Sequence, residues 1–353
     1  MKPDHPQHLS QQAITVREAT DGDRQAWQDY VRGHPQATFF HRWEWRALMA
    51  EQWRHRPVFL IAWRGSAVCG VLPLAHMKTA LFGSQLVSLP FCVYGGPLTS
   101  DPQALAELDA RAVDVATDCG AGHIEYRNLE PRHTDWLGTD LYVTFRRTIS
   151  ADEDANMKAI PRKQRAMVRK GIGNGLSAAI EDADSFFPIY ADNVHRHGTP
   201  GMPLRWFRAL QSAFGDDCDV LVVRDAGGQP VSAVMSFWEA SVVLPYYAGD
   251  YERARGLAAN DFKYWRLICR TAERGRQIYD FGRSKLGTGP YDFKRNWGFE
   301  PTPLAYEYRL ISSPAVPQNN PNNPKYRLMI ETWRKLPRPV VNWLGPHVVR
   351  GLG

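Results

Sequence analysis

"VVLPYYAGDYERARGLAANDFKYWRLICRTAERGRQIYDFG" runs from Val242 to Gly282. It opens with an apolar run that ends in an aromatic-glycine corner at Tyr246–Asp250. A short loop follows, then an apolar-periodic stretch closed by Gly275, then the brief apolar run "QIYDFG". The pattern reads as strand, loop, helix and strand. Just upstream, "DVLVVRDAGGQPVSAVMSFW" (Asp219–Trp238) is two apolar runs around a glycine turn, which predicts a β-hairpin.

The same order occurs earlier in the chain. "VFLIAWRGSAVCGVLPLA" (Val58–Ala75) predicts a hairpin, and "PFCVYGG", up to Gly96, predicts a third strand with its corner. "DPQALAELDARAVDVATDCG" has an Asp-Pro start and a closing Gly120, the signals of a helix. The strand "HIEYRN" follows. Tyr94 and Tyr126 stand 32 residues apart, and so do Tyr247 and Tyr279. Two such sets imply an internal duplication of an α/β unit with a mixed sheet. The expected divisions are residues 1–149, residues 150–311, a Pro/Asn linker over 312–324 and a basic amphipathic tail over 325–353.

The composition agrees with that size. The 353 residues are 44% hydrophobic and 23% charged, enough for two domain cores. A net charge of +6 permits a polyanionic partner without choosing one. The five cysteines are scattered with no C-x-x-C pair, which argues against a disulfide framework or a zinc site, so no metal is expected. The first residues lack a signal-type apolar core, and no run approaches the roughly 20 apolar residues of a membrane span. A cytoplasmic location is expected. The tail mixes Trp333, Val341, Trp343 and Val349 with Arg334, Lys335, Arg338 and Arg350. It suits an anionic membrane surface or packing back onto the body, and its three prolines argue against one long helix.

Between the halves lies "ISADEDANMKAIPRKQRAMVRKGIGNGL". Ser150 with Glu153 fits a capping box, and Pro161 should end the first helix. The second helix, expected over 161–171, carries Arg162, Lys163, Arg165, Arg169 and Lys170; the first, third and fourth of these share a face.

Two stretches could carry chemistry. Arg253-x-x-Gly256-x-Ala258 leads from a strand toward a helix, where backbone N–H groups and the helix dipole can hold a phosphate. This spacing resembles the R/Q-x-x-G-x-G/A loop of GNAT-type acyltransferases. Later, "KRNWGF" (Lys294–Phe299) precedes the last strand, where GNAT folds carry Y-x-x-x-G-F. Lys294 thus stands where many of them keep a tyrosine acid, and a lysine can stabilise an oxyanion or protonate a leaving group. Asp250 and Asp280, at strand ends, are candidate bases or salt-bridge partners. Gly282 and Gly287 have part of a P-loop's spacing, but Thr288 stands where its lysine must be, so triphosphate binding is rejected. His195 and His197, in a loop-like segment, are too few for a metal site.

Together "LPFCVYGG", "PRKQRAMVRKGIGNGL", "HGTPGMPLRWF", "YYAGDYERARGLAANDFKYW", "DFGRSKLGTGPYDFKRNWGFEP" and "AYEYRL" resemble the FemAB family of the GNAT (acyl-CoA N-acyltransferase) superfamily, over roughly Phe39–Leu310. The details are most similar to its PEP-CTERM/exosortase-associated branch. The resemblance implies two tandem GNAT-like domains and transfer of an acyl or aminoacyl group to an amine of a cell-envelope or exopolysaccharide precursor. It places Lys294, in Tyr291-Asp-Phe-Lys294, at the transfer centre, and Asp280 is taken as the catalytic partner from its strand-end position. It places Arg253, Gly256 and Ala258 at the donor's phosphates. Arg162, Lys163, Arg165 and Arg169 go to the acceptor's phosphates, and Tyr94, Tyr247, Asn260, Arg283, Ser284, Lys285 and Tyr291 to the cleft. The donor would be acyl-CoA or aminoacyl-tRNA, used as a co-substrate with no tightly bound cofactor. The chain lacks the coiled-coil arm of some relatives, which favours a CoA-type donor. A non-catalytic scaffold at a membrane surface is the alternative from another class.

Overall fold

The computed structural model describes residues 12–80, 82–316 and 324–353. Most of the expected linker therefore lies outside the described residues, as do the first residues of the chain. The chain forms two compact units. One is Met1–Thr139 with Leu304–Pro317 and Arg350–Gly353; the other is Asp140–Pro303 with Gln318–Val349.

In the first unit, β1 (Ile14–Glu18) precedes α1 (Arg24–Gly33) and α2 (Trp45–Trp53). Then come β2 (Arg56–Arg64), β3 (Ala67–Thr79), β4 (Gly83–Val87), α3 (Pro102–Asp118), β5 (His123–Asn128) and β6 (Leu137–Thr139). The α3 helix begins as its sequence requires: the Asp101 side chain accepts from the amides of Gln103 and Ala104, with proline in the first turn.

The second unit opens with β7 (Tyr142–Thr148), α4 (Glu153–Ala159), α5 (Arg162–Gly173) and β8 (Ser177–Glu181). It continues through α6 (Ala183–His197), α7 (Leu204–Phe214), β9 (Cys218–Arg224), β10 (Pro230–Glu239) and β11 (Val242–Asp250). Next are α8 (Ala254–Leu257), α9 (Ala259–Glu273), β12 (Ile278–Asp280), β13 (Ser284–Lys285), α10 (Gly289–Asn296) and β14 (Pro301–Pro303). The chain ends with β15 (Ala305–Leu310), α11 (Pro324–Lys335) and α12 (Arg338–Leu352).

The duplication is visible in the sheets. One has the order β1-β2-β3-β4-β5-β15-β6 and the other β13-β7-β12-β11-β10-β9-β8, with β14 also on β7. In each, three antiparallel pairs lead to one parallel pair, β4 with β5 and β11 with β12. Helices α3 and α9 make these parallel crossovers. Both parallel ladders are short: Leu86 and Val87 pair with Ile124 and Glu125, and Val242 and Val243 with Ile278 and Tyr279. In the second unit β11 runs on to Asp250 beyond that ladder, so the two strands part at their C-terminal ends.

The next place in each sheet is filled by exchange. β7, which follows the first half in sequence, pairs with β12 in the second unit. β15, the last strand, pairs with β5 in the first. The units therefore divide at Asp140 rather than at 150, and the 305–310 strand counts with the first unit instead of the second.

Three local expectations change. "PFCVYGG" is not the third strand of its half; that is β4, and Leu89 and Phe91 are left-handed at φ 58° and 65°. Arg127 holds this bend, donating from Nη1 to the carbonyls of Leu89 (3.3 Å) and Cys92 (2.8 Å). The cap of α4 is Asp152, whose side chain accepts from the Asp154 amide, while Ser150 accepts from Asp152. The tail is two helices and keeps Pro346 inside the second. It packs on the second unit: the His195 Nε2–H donates to the Leu336 carbonyl, Arg338 pairs with Asp192, and Val341 is buried. No described helix is long and apolar enough to cross a membrane.

Each unit has its own apolar core. Val58, Leu72, Leu108, Ile124 and Tyr126 belong to one, and Phe145, Val234, Trp265, Tyr279 and Trp297 to the other. In the first unit a charged clamp joins the exchanged strand to α3. The His133 ring donates from Nδ1 to Glu307 on β15 and from Nε2 to Asp109 on α3, both at 2.8 Å. Burial opposes its charge, but the two carboxylates outweigh burial and raise His133 to about 9. A raised folded value means the stabilisation is complete below the ordinary histidine range and is lost as pH rises through about 9. Urea unfolding should therefore show His133→Gln destabilised by roughly 2 kcal/mol at pH 6, with the gap to the parent closing toward pH 10. A gap independent of pH would contradict this.

Candidate active site at the parted strands

The second unit gathers its polar chemistry around β7. This strand pairs antiparallel with β12, β13 and β14 at once. Alternation puts Tyr142, Thr144 and Arg146 on one face. Asp280, opposite Arg146, is 1% exposed and fully engaged by its neighbours. Its Oδ1 accepts from the Thr144 hydroxyl at 3.0 Å and from the Gly282 amide at 2.8 Å; its Oδ2 meets Arg146 Nε at 3.1 Å. Gly282 is left-handed (φ 66°), which turns the chain from β12 into β13 and aims two carbonyls toward α10.

Lys294 on α10 takes those carbonyls. Its Nζ donates to Gly282 O at 2.9 Å and Arg283 O at 3.2 Å, and lies 5.6 Å from the Phe145 ring centroid. The side chain is buried. Burial pushes the ammonium down to about 7, the Asp280 charge works against that, and the Arg283 charge adds to it. Two of the three hydrogens of the protonated amine are committed to these carbonyls. Helix α10 is short, and Trp297 anchors its end: the indole N–H donates to Asp261 at 3.1 Å.

Asp261 and its neighbour Lys263 were not found by pattern. Both lie on α9, whose surface is buried on most sides, so period alone gave them no distinction. Asp261 Oδ1 also accepts from Gln164 on α5 at 2.8 Å, and burial raises its carboxyl. Lys263 is fully buried and donates to Asp250 Oδ1 at 3.0 Å. Asp250, itself half-buried, thus serves as the partner of a buried lysine at the end of β11. Tyr142 is a further unanticipated member of the site.

The structure brings Lys294, Asp280, Arg283, Ser284 and Lys285 together around one turn, and Tyr291 packs edge-on to Phe145 at 5.4 Å. The other expected residues have different surroundings. Tyr94 is buried in the first unit, edge-on to Phe40. Tyr247 lies in an aromatic cluster with Phe207 and Tyr190, where Trp206 Nε1 donates to its hydroxyl at 3.1 Å. Arg162, Lys163 and Arg169 are exposed and Arg165 is half-buried. They stand on the outer side of α5, which lays Gln164, Val168 and Gly171 against its own unit. A Cβ on Gly171 would come within 2.8 Å of Phe262 Cβ on α9, so glycine sets this close approach. His195 and His197 lie at the end of α6 rather than in a loop.

The expected donor loop is altered. The extra turn α8 stands between β11 and α9, and Gly256 lies inside it. Ala258 is left-handed (φ 57°) and caps α9, with Asn260 half-buried in the first turn. The Arg253 guanidinium lies against the Tyr251 ring and donates to the Pro230 carbonyl at 2.7 Å.

The charges around Lys294 make opposite predictions. In lysine-resolved NMR, Lys294 should titrate near 7. Asp280→Asn should lower that value, because it removes the anion that favours the ammonium; Arg283→Gln should raise it. Shifts of the reverse sign would refute the arrangement.

Residues 155–295 match the family model described as acetyltransferase (GNAT) domain, a span that includes Asp280 and Lys294. No curated protein matches the chain in sequence. Among solved structures, FemX is 14% identical with a TM-score of 0.66, covering 90% of this chain and 100% of that one. L-PGS from Bacillus licheniformis is 11% identical with a TM-score of 0.55, covering 90% and 97%. A tandem GNAT protein from the clavulanic acid biosynthesis pathway is 11% identical with a TM-score of 0.54, covering 86% and 100%. At these identities the likeness is one of fold: the chain is a mixed α/β protein of two GNAT-like units in tandem.

Proposed function

We propose that the chain is an N-acyltransferase, with its reacting centre at Lys294 in the second unit. The observation that carries this reading is the buried Lys294 ammonium, anchored by two carbonyls of the turn that follows β12. The donor is an acyl-CoA or an aminoacyl-tRNA, and the acceptor is an amine of a cell-envelope or exopolysaccharide precursor. The GNAT match over residues 155–295 supports the CoA-type donor. The likeness to FemX in fold, together with the sequence resemblance, supports keeping the aminoacyl donor in the test.

In this reading the neutral amine of the acceptor attacks the donor carbonyl carbon. The carbonyl π electrons move to oxygen, and the third Lys294 hydrogen meets that oxyanion. Collapse forms the amide and expels the thiolate or the ribose oxygen, which takes a proton from Lys294. The proton lost by the attacking amine goes to water and in turn restores the ammonium. Asp280 acts through Lys294, holding its charge and fixing the turn that binds it. Arg253, Gly256 and Ala258 border the donor, and the outer face of α5, with Arg162, Lys163, Arg165 and Arg169, holds the acceptor's phosphates.

The test is mass-spectrometric detection of amide products when the protein is given acyl-CoAs or aminoacyl-tRNAs with amino sugars and peptide amines. Once a pair is found, Lys294→Met should lower kcat by at least 100-fold, on the order expected for a lost oxyanion donor. The parent's kcat should fall as pH rises through about 7, where Lys294 loses its proton. Full activity in the variant would remove Lys294 from the mechanism.

A second reading keeps the chain as a scaffold at an anionic membrane face. It is favoured by Trp343 of α12, which is 69% exposed. Co-sedimentation with phosphatidylglycerol vesicles that Trp343→Ala abolishes, in the absence of any transfer, would select it.

A further inference from the structure

Ser284 is 5% exposed, and among the described residues its hydroxyl has no hydrogen-bond partner. Such a group is costly to keep in a folded protein, and alanine would fill the same place without that cost. The direction of the side chain is set by a β-bulge. Asp280 pairs with Arg146 and Ser284 with Val143, both on β7. Four steps of chain from Asp280 to Ser284 therefore stand against three from Arg146 to Val143. The Phe281 amide, donating to the Phe145 carbonyl at 2.9 Å, keeps the strands joined between these pairs. In an unbroken strand Asp280 and Ser284 would share a face. The inserted residue turns Ser284 to the other one, with Val143 and Phe145.

Lys294 works on that same side. Its Nζ lies 5.6 Å from the Phe145 ring centroid and 6.0 Å from that of Phe281. It takes the carbonyls of Gly282 and Arg283, which lie within the bulge. The Arg283 carbonyl belongs to the peptide unit whose nitrogen is that of Ser284. A charged donor on α10 and an unused hydroxyl on β13 thus meet at one peptide unit, on one face of the sheet. Both side chains are buried, where a hydrogen bond to a forming negative charge is worth more than in water.

We propose that Ser284 is a second oxyanion donor, its hydroxyl donating to the carbonyl oxygen of the acyl donor from beside the Lys294 ammonium. This rests on the transfer reading above and adds to it a neutral hydrogen bond that strengthens as charge gathers on oxygen. The hydroxyl keeps its proton throughout, and the leaving group still takes its proton from Lys294. One inserted residue then does two things: it offers the carbonyls that fix the ammonium, and it brings the hydroxyl to the ammonium's side. A hydroxyl left unpaired in the resting protein is stability given up for binding the transition state.

Two measurements on the full chain test this. Urea unfolding compares the parent with Ser284→Ala, which should be at least as stable, because it removes a buried hydroxyl that pairs with nothing. Carbon NMR then follows a non-reactive ketone analogue of the donor, isotope-labelled at the carbonyl carbon, with a methylene before the leaving atom. A CoA form and an aminoacyl-adenosine form are used in separate arms. A carbonyl carbon moves downfield when its oxygen accepts hydrogen bonds, so the resonance should lie downfield of the free analogue when bound to the parent. Ser284→Ala and Lys294→Met should each take back part of that shift. Ser236→Ala deletes another buried, unpaired hydroxyl, on β10 and off the β7 ladder, and should take back none. In turnover, Ser284→Ala should lower kcat by roughly 100-fold and leave KM within about 3-fold of the parent's. A Ser284→Ala protein that is less stable than the parent, or that leaves the resonance where it was, would overturn the role. If Lys294→Met moves the resonance and Ser284→Ala does not, Ser284 alone is excluded. If neither analogue binds, or the parent leaves the resonance unshifted, the oxyanion centre fails and Ser284 with it. If the shifts appear as stated but no amide is ever formed, the carbonyl site stands and the transferase reading fails.

Discussion

The ladder made by Tyr142–Thr148 is the constraint on which the site depends. This strand bonds to three others, and each bond set fixes one part of the candidate site. Its pairing with β12 buries Asp280 against Arg146 and Thr144. Its pairing with β13 lays Lys285 across Tyr142. The bend between those two strands, at Gly282, exposes the carbonyls that hold Lys294. A buried carboxylate that lost its donors would be costly to leave unpaired, so the ladder, the turn and the lysine are energetically one object.

The exchange of end strands gives this arrangement a consequence for the whole chain. β7 follows the first half in sequence but completes the second sheet, and β15 follows the second half but completes the first. Neither half of the sequence, cut at the expected boundary, contains all the strands of its own sheet. The His133 clamp performs for β15 what Asp280 performs for β7: a buried polar group fastens the strand that arrives from elsewhere in the chain.

Much of the fold was legible because its signals are local. The Asp-Pro start of α3, the glycine-closed α9 and the two hairpins follow from capping and two-residue periodicity. The exchange was not legible, since alternation names a strand's buried face and not its partner. The first-half strand was misplaced because "PFCVYGG" is apolar for a different reason: it is a buried bend held by Arg127. In the site, Lys294, Asp280, Arg283, Ser284 and Lys285 were found together because they are close in sequence. Tyr142 was missed because only strand pairing brings it there, and Lys263 and Asp261 because a helix buried on most sides has no polar stripe to read.

The central claim is that a donor carbonyl meets the Lys294 ammonium. It is tested most directly by a crystal structure of the protein with a non-reactive donor analogue in which a methylene separates the carbonyl from its leaving atom. The account predicts the carbonyl oxygen within hydrogen-bond reach of Lys294 Nζ, with the two backbone carbonyls of the 282–283 turn still bound to the same nitrogen. An analogue bound with its carbonyl remote from Lys294, and with that amine still enclosed by protein, would contradict it.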